Sequence, residues 1–145
     1  MITYAGEITA EDYAALRASA GWQALSPAQI EKALAHSAFL VAAKDGQHTV
    51  SMARLMSDGG YFNVVLDVVV LPEYQGRGIG REMLTRLVAH LKSGLRPGEH
   101  SYTILTCPPD KPGFYEKFGF HALPTEDEGP GLVMRLVGEQ KGETQ

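Results

Sequence analysis

Val68-Val69-Val70-Leu71-Pro72-Glu73-Tyr74-Gln75-Gly76-Arg77-Gly78-Ile79-Gly80-Arg81 is the stretch that decides how the rest of the chain is read. The β-branched run at its start has the composition of a buried strand. Pro72 cannot donate to a sheet ladder, so the strand stops there. Glycines follow at alternate positions, 76, 78 and 80. Apolar residues at 83, 84, 87, 88 and 91 then mark one face of a helix. Strand, glycine turn and helix together leave the first helical N–H groups unpaired and aimed into the loop, a ready anion site reinforced by the helix dipole.

Two common phosphate loops fail against these residues. A dinucleotide fingerprint needs a small residue three places after its second glycine, where Met83 stands. A nucleotide P-loop needs Gly-Lys-Ser/Thr, and Arg81 and Glu82 follow Gly80 instead.

Working outward, the N-terminal side predicts a short strand at Ile2 to Tyr4. Thr9-Ala10-Glu11-Asp12 has capping-box form and opens a helix that Gly21-Trp22 breaks. Ser26-Pro27-Ala28-Gln29 opens a second helix. Ala38 to Ala43 and His48 to Leu55 are strands joined by a turn containing Asp45-Gly46, and a long strand runs from Tyr61 to Leu71. On the C-terminal side Tyr102 to Cys107 is a strand and Gly113 to Phe118 a short helix closed by Gly119. Phe120 to Leu123 and Leu132 to Val137 read as two further strands. The order implies an α/β chain with a mixed, twisted sheet, an antiparallel meander plus one parallel crossover, and helices on both faces. A single domain over 1–138 with a disordered tail at 139–145 is expected.

Composition bounds the function. The 145 residues are 44% hydrophobic and 21% charged, the profile of an ordinary globule. The net charge of −4 comes with no basic block, which argues against nucleic acid as a partner. No apolar run approaches the roughly 20 residues of a membrane helix, and the N-terminal residues lack a signal-peptide pattern. The single cysteine excludes an internal disulfide and points to the cytoplasm. His36, His48, His90, His100 and His121 show no metal spacing, so no metal is expected.

A second motif settles the family. Phe114-Tyr115-Glu116-Lys117-Phe118-Gly119-Phe120 resembles the Phe-Tyr-x-x-x-Gly-Phe segment of the GNAT N-acetyltransferase superfamily. Gln75-x-x-Gly78-x-Gly80 resembles that family's acyl-CoA pyrophosphate loop, and the two stand in the family's order. The likeness covers Gln75 to Phe120 in sequence and the whole chain in element order. It implies the GNAT fold, with a mostly antiparallel sheet in which one parallel strand pair splays apart.

The resemblance implies acetyl-CoA as co-substrate and transfer of its acetyl group to a primary amine by direct attack. Val68, Val69 and Val70 would pair with the pantetheine amides. Gln75, Gly76, Arg77, Gly78, Ile79, Gly80 and Arg81 would hold the pyrophosphate, and Phe114 adds to the coenzyme side. Tyr115 matches the family's general acid, a phenol whose ordinary pKa of about 10 keeps it protonated at neutral pH. Asp67 is the candidate proton acceptor, with a salt-bridged carboxylate as the alternative. Val64 stands where histone-modifying relatives carry a glutamate base. Arg17, Trp22, Arg54, Tyr61 and Phe62 are the candidate acceptor-binding residues, and Trp22 could wall an amine. The acidic residues Asp58, Asp67, Glu126, Asp127 and Glu128 are expected near the open end of the sheet, where they could draw in a cation. A small-molecule amine is the expected acceptor, and a homodimer is compatible with the pattern. A protein or peptide acceptor, or a non-catalytic acyl-CoA-binding module, is the alternative.

Overall fold

The structure is a computed structural model that describes residues 1–139. Nearly all of the tail expected at 139–145 therefore lies outside the described residues. The chain divides into two compact units, Met1–Cys107 and the part from Pro108 onward.

The first unit is a five-stranded sheet in sequential order: β1 (Ile2–Ala5), β2 (Phe39–Asp45), β3 (His48–Ser57), β4 (Phe62–Val70) and β5 (Tyr102–Ile104). The first three pairings are antiparallel, and β4 with β5 is parallel. Between β1 and β2 stand α1 (Ala10–Ser19) and α2 (Pro27–Ala35), and α3 (Ile79–Ser93) makes the crossover from β4 to β5.

Both faces of the sheet are covered, which is why β3 is buried without a break from Thr49 to Leu55. Adjacent residues of β3 face opposite layers. Ser51 Oγ lies 3.1 Å from the Met83 sulfur of α3. Met52 instead packs with Tyr13 and Leu16 of α1, Ile30 of α2 and Val69 of β4. Each such buried Leu, Ile or Met side chain contributes roughly 1.5–3 kcal/mol of transfer free energy.

The helix starts follow their local chemistry. Ser26 and Gln29 form the full reciprocal capping box of α2, with Pro27 at the first position. At α1 only half a box forms. Thr9 Oγ1 accepts from Asp12 N at 3.1 Å, but the Asp12 carboxylate turns to Thr49 Oγ1 at 2.7 Å and ties the helix to β3.

Two irregularities of β4 matter below. Met52 pairs with Val69 but Arg54 with Leu66, so Ala53 alone faces Asp67 and Val68 together. This is a β-bulge, and Asp67 sits in it at φ 55, the left-handed region that aspartate tolerates better than most residues. The parallel pairing to β5 covers only Phe62↔Tyr102, Asn63↔Thr103 and Val64↔Ile104. Beyond Val64 the outer edge of β4 has no ladder partner among the described residues. The parallel ladder thus ends early, where the family resemblance implies that the strand pair splays.

β5 ends at Ile104, three residues short of the expected Cys107. The second unit holds α4 (Pro112–Glu116), closed by Gly119 at φ 100 with Phe120 N bonded to Tyr115 O at 3.4 Å. The strands expected at Phe120–Leu123 and Leu132–Val137 are not formed. Leu132, Val133, Met134, Leu136 and Val137 are 61–93% exposed. A β-prone run becomes a strand only where a ladder and a buried face receive it.

Candidate active site

The bare edge of β4 leads directly into the glycine loop. After Val70 a single 3-10 turn, Pro72–Tyr74, redirects the chain, and Gln75 Nε2 reaches back to Val70 O at 3.0 Å. Gly76 (φ 79) and Gly78 (φ 81) take the left-handed region, and Gly78 is the N-cap of α3. A Cβ added at Gly78 would meet nothing within 4 Å, so a side chain there is opposed by backbone angle rather than by crowding.

Donors in this loop outnumber acceptors. Gln75 N is bonded to Pro72 O and Glu82 N to Gly78 O, but the six N–H groups from Gly76 to Arg81 have no acceptor among the described residues. Gly76, Arg77, Gly78 and Arg81 are exposed, while Ile79 is 3% exposed and fastens the loop to the core. Consecutive free amides at the start of a 15-residue helix suit a diphosphate. The unpaired strand edge beside them suits an extended chain that carries amides. Together the residues fit a coenzyme A thioester.

Four side chains meet on the α1–α2 face of the bulge. Asp67 accepts a short hydrogen bond from the Tyr13 hydroxyl on Oδ2, a second from Arg54 Nε at 2.9 Å on the same oxygen, and one from Arg17 Nη1 at 3.3 Å on Oδ1. The side chains of Asp67, Arg54 and Arg17 are 9%, 8% and 15% exposed. Burial and the Asp67 carboxylate push the Tyr13 phenol above its ordinary pKa. The arginines spend part of their remaining donors internally, while Arg17 Nε is buried with no hydrogen-bond partner among the described residues. Arg54 Nη1 reaches Ala33 O and Ser37 Oγ, and Arg17 Nη2 reaches Gln23 O. The Arg17 guanidinium also lies 5.5 Å from the centre of the Trp22 ring, which packs against the core.

The expected acceptor residues therefore fall into two groups. Arg17 and Arg54 converge on Asp67, and Trp22 lies beside Arg17. Tyr61 and Phe62 do not join them: Phe62 stacks on Tyr102 at 6.0 Å, with Tyr61 edge-on at 6.3 Å, at the zipped end of the β4–β5 pair. Asp67 stands five residue steps along β4 from Phe62, a rise of roughly 16 Å. Asp58 is corrected in the same way. It lies in the turn before β4, at the zipped end, and Oδ1 accepts from the backbone N–H groups of Gly60, Tyr61 and Phe62. Those amides hold its carboxyl below the ordinary value.

In the second unit Tyr115 is 8% exposed, edge-on to Phe114 at 5.1 Å and to Phe120 at 6.1 Å. Glu128 accepts from Thr125 Oγ1 and pairs with His121 within its own loop. Sequence reasoning passed over Tyr13, Tyr74 and Asp45. One signal pointed to the first: an aspartate among valines cannot be buried without donors nearby. Among the described residues no cluster of three or more His, Cys, Asp or Glu could hold a metal, and no helix is long and apolar enough to cross a membrane.

The sequence pattern of the acetyltransferase (GNAT) domain matches residues 35–122. This chain belongs to the GNAT acetyltransferases. An uncharacterized N-acetyltransferase, ycf52, of Porphyra purpurea is 34% identical to it over 106 residues, which is 70% of this chain and 59% of that protein. Serotonin N-acetyltransferase 2, chloroplastic, of Oryza sativa subsp. japonica is 36% identical over 106 residues, 70% of this chain and 50% of that protein. This GNAT chain thus spans between half and three fifths of those relatives' lengths. A crystal structure of a protein of unknown function from methicillin-resistant Staphylococcus aureus, described as a probable acetyltransferase, superposes with a TM-score of 0.82 at 29% identity. The match covers 94% of this chain and all of that one.

Proposed function

We propose that this chain is an N-acetyltransferase that moves the acetyl group of acetyl-CoA to the primary amine of a small molecule. The observation that carries the reading is the run of six acceptor-less amides at Gly76–Arg81 beside the bare edge of β4. The amides receive the diphosphate, and the backbone at Val68, Val69 and Val70 pairs with the pantetheine arm. The amine arrives neutral and its nitrogen attacks the thioester carbonyl. A C–N bond forms, the C–S bond breaks, and the departing thiolate takes a proton. Tyr115, on the helix that carries the second family motif, is the donor in this reading.

Asp67 acts here by position. Its oxygens already receive three donors, so it fixes Tyr13, Arg17 and Arg54 on the acceptor side and the attacking amine loses its proton to water. The same bonds bear on the substrate. Arg17 and Arg54 are engaged mainly by Asp67 and by backbone carbonyls, which leaves them poorly placed to receive a carboxylate or phosphate on the acceptor. The rice relative's name, serotonin N-acetyltransferase 2, is that of an enzyme for an aromatic primary amine and supports the same class. The single cysteine suits a reducing compartment, the cytoplasm or the chloroplast named for the rice relative.

The test is a panel of small primary amines and peptides with free N-termini, read as acetyl-CoA-dependent release of free thiol. Turnover with small amines is the expected result. A peptide preference above about tenfold in kcat/KM, roughly 1.4 kcal/mol at the transition state, makes the chain a protein acetyltransferase. Tight acetyl-CoA binding with no turnover across the panel makes it a binding module.

A further inference from the structure

One cation of the glycine loop is turned away from the loop's own amides. Arg77 Nη2 donates to Glu73 O at 3.0 Å, and its guanidinium carbon stands 4.7 Å from the centre of the Tyr74 ring. The side chain is thus drawn back over the 3-10 turn that precedes the amide run. Tyr74 is itself fixed, because its hydroxyl donates to Asp45 Oδ2 at 2.7 Å, in the β2–β3 turn. That bond is the main reason the Tyr74 phenol lies above its ordinary value and Asp45 below its own. Asp45 belongs to β2, two strands inward from the bare edge of β4. An arginine parked over Tyr74 is therefore drawn toward β2, away from the bare outer edge of β4 that would take the pantetheine, and it remains exposed.

We propose that Arg77, seated on Tyr74, is the specificity residue for the ribose 3′-phosphate of coenzyme A. The proposal rests on the reading of the loop as a coenzyme A site. The diphosphate has six amides and does not require this side chain. The 3′-phosphate is a monoester carrying about −1.5 to −2 charges at neutral pH, and it is the one anionic group of the coenzyme outside the cradle. An arginine is the planar, permanently charged donor that such a group calls for. The ring of Tyr74 and the carbonyl of Glu73 hold one face and one edge of the guanidinium, which leaves its other donors facing solvent. The carboxylate beside it is partly occupied, since Asp45 Oδ2 receives the Tyr74 hydroxyl. Arg81, in the first turn of α3, has no side-chain partner among the described residues and stands with the amides. It belongs to the diphosphate.

The experiment compares dissociation constants, by calorimetry, for coenzyme A and 3′-dephospho-coenzyme A, which differ in that phosphate alone. The native chain should prefer coenzyme A by about tenfold, the size of one solvent-facing charge-assisted pair. Arg77→Gln should bring the two constants within about twofold of each other without changing that for the dephospho form. Arg77→Lys should restore part of the preference, Tyr74→Leu should reduce it, and Arg81→Gln should weaken both ligands alike. In the phosphorus spectrum the monoester resonance, separate from the diphosphate pair, should move on binding to the native chain and not to Arg77→Gln. Equal weakening of both ligands by Arg77→Gln, or an unchanged ratio, overturns the assignment while the loop reading stands. A native chain that binds neither ligand overturns both.

Discussion

Replacing Asp67 with alanine is the perturbation from which most can be learned. The carboxylate lies 9% exposed between guanidinium groups that are 8% and 15% exposed. Removing it leaves two cations and a phenol facing one another with no anion between them. Breaking a buried ion pair by deleting one partner costs about 3–5 kcal/mol. Alanine keeps a Cβ at φ 55 as aspartate does, so the backbone adds nothing to that loss. A loss of about 3–5 kcal/mol should lower Tm by roughly 6–20 °C in a chain of this size. Asp67→Gly relieves the backbone and should lose about 1 kcal/mol less than alanine. Asp67→Asn keeps the shape and one acceptor and should lose the least. Urea unfolding followed by circular dichroism gives the differences, and a double-mutant cycle with Tyr13→Phe isolates the phenol bond. A loss below about 1 kcal/mol for Asp67→Ala, at unchanged m-value, would refute the reading of Asp67 as an anchor. Kinetics make the second cut. An anchor predicts kcat for folded Asp67→Asn within about tenfold of native, whereas a general base predicts a fall of about 10²-fold or more.

Three further outcomes are expected. Gly78→Ala should cost about 1–2 kcal/mol of stability through its backbone angle and weaken acetyl-CoA binding at least about tenfold, as the amides rotate out of line. Unchanged affinity in a folded variant would remove the loop assignment. Tyr115→Phe should leave acetyl-CoA affinity unchanged and lower kcat by about 10²-fold; a kcat within about twofold, with chemistry rate-limiting, would make Tyr115 a packing residue. For Asp58 the sign follows from its lowered pKa. Its stabilising bonds to Gly60, Tyr61 and Phe62 are fully present above the unfolded-state value of 3.8 and are lost as pH falls through the lower folded value. The Tm difference between native and Asp58→Ala should therefore be constant near neutrality and shrink below that pH. A difference that grows on acidification contradicts the turn described here.

Much of this fold was legible because its signals are local. Ser26, Pro27 and Gln29 announce α2, Asp45-Gly46 the hairpin, and Pro72 the end of β4, and each does its work within four residues. What the sequence could not show depends on distance. Asp67 meets Tyr13, Arg17 and Arg54 across separations of 54, 50 and 13 residues, which leave no periodic trace. Arg54, set in the apolar run Met52-Ala53-Arg54-Leu55-Met56, was the visible hint that a partner had to be buried nearby. Nor does composition encode the bulge, since an aspartate is disfavoured anywhere in a strand and does not by itself mark a left-handed position. The strands expected at Phe120–Leu123 and Leu132–Val137 failed for the converse reason: apolar alternation measures fitness for a pleated surface and not the presence of a neighbour.

The bare outer edge of β4 has a consequence for handling the protein. Beyond Val64 and up to Val70, whose carbonyl Gln75 Nε2 holds, it offers N–H and C=O groups with no ladder partner among the described residues on a valine-rich strand, the template that edge-to-edge aggregation uses. Soluble proteins blunt such edges with lysine, proline or a covering segment. Here the blunting within β4 is one aspartate and a bulge that twists the strand. Whatever occupies that edge in the working protein therefore also acts as a folding guard. Coenzyme at a hundredfold excess over its dissociation constant would add about 2.7 kcal/mol to the native state and suppress sheet-like association by capping the same groups.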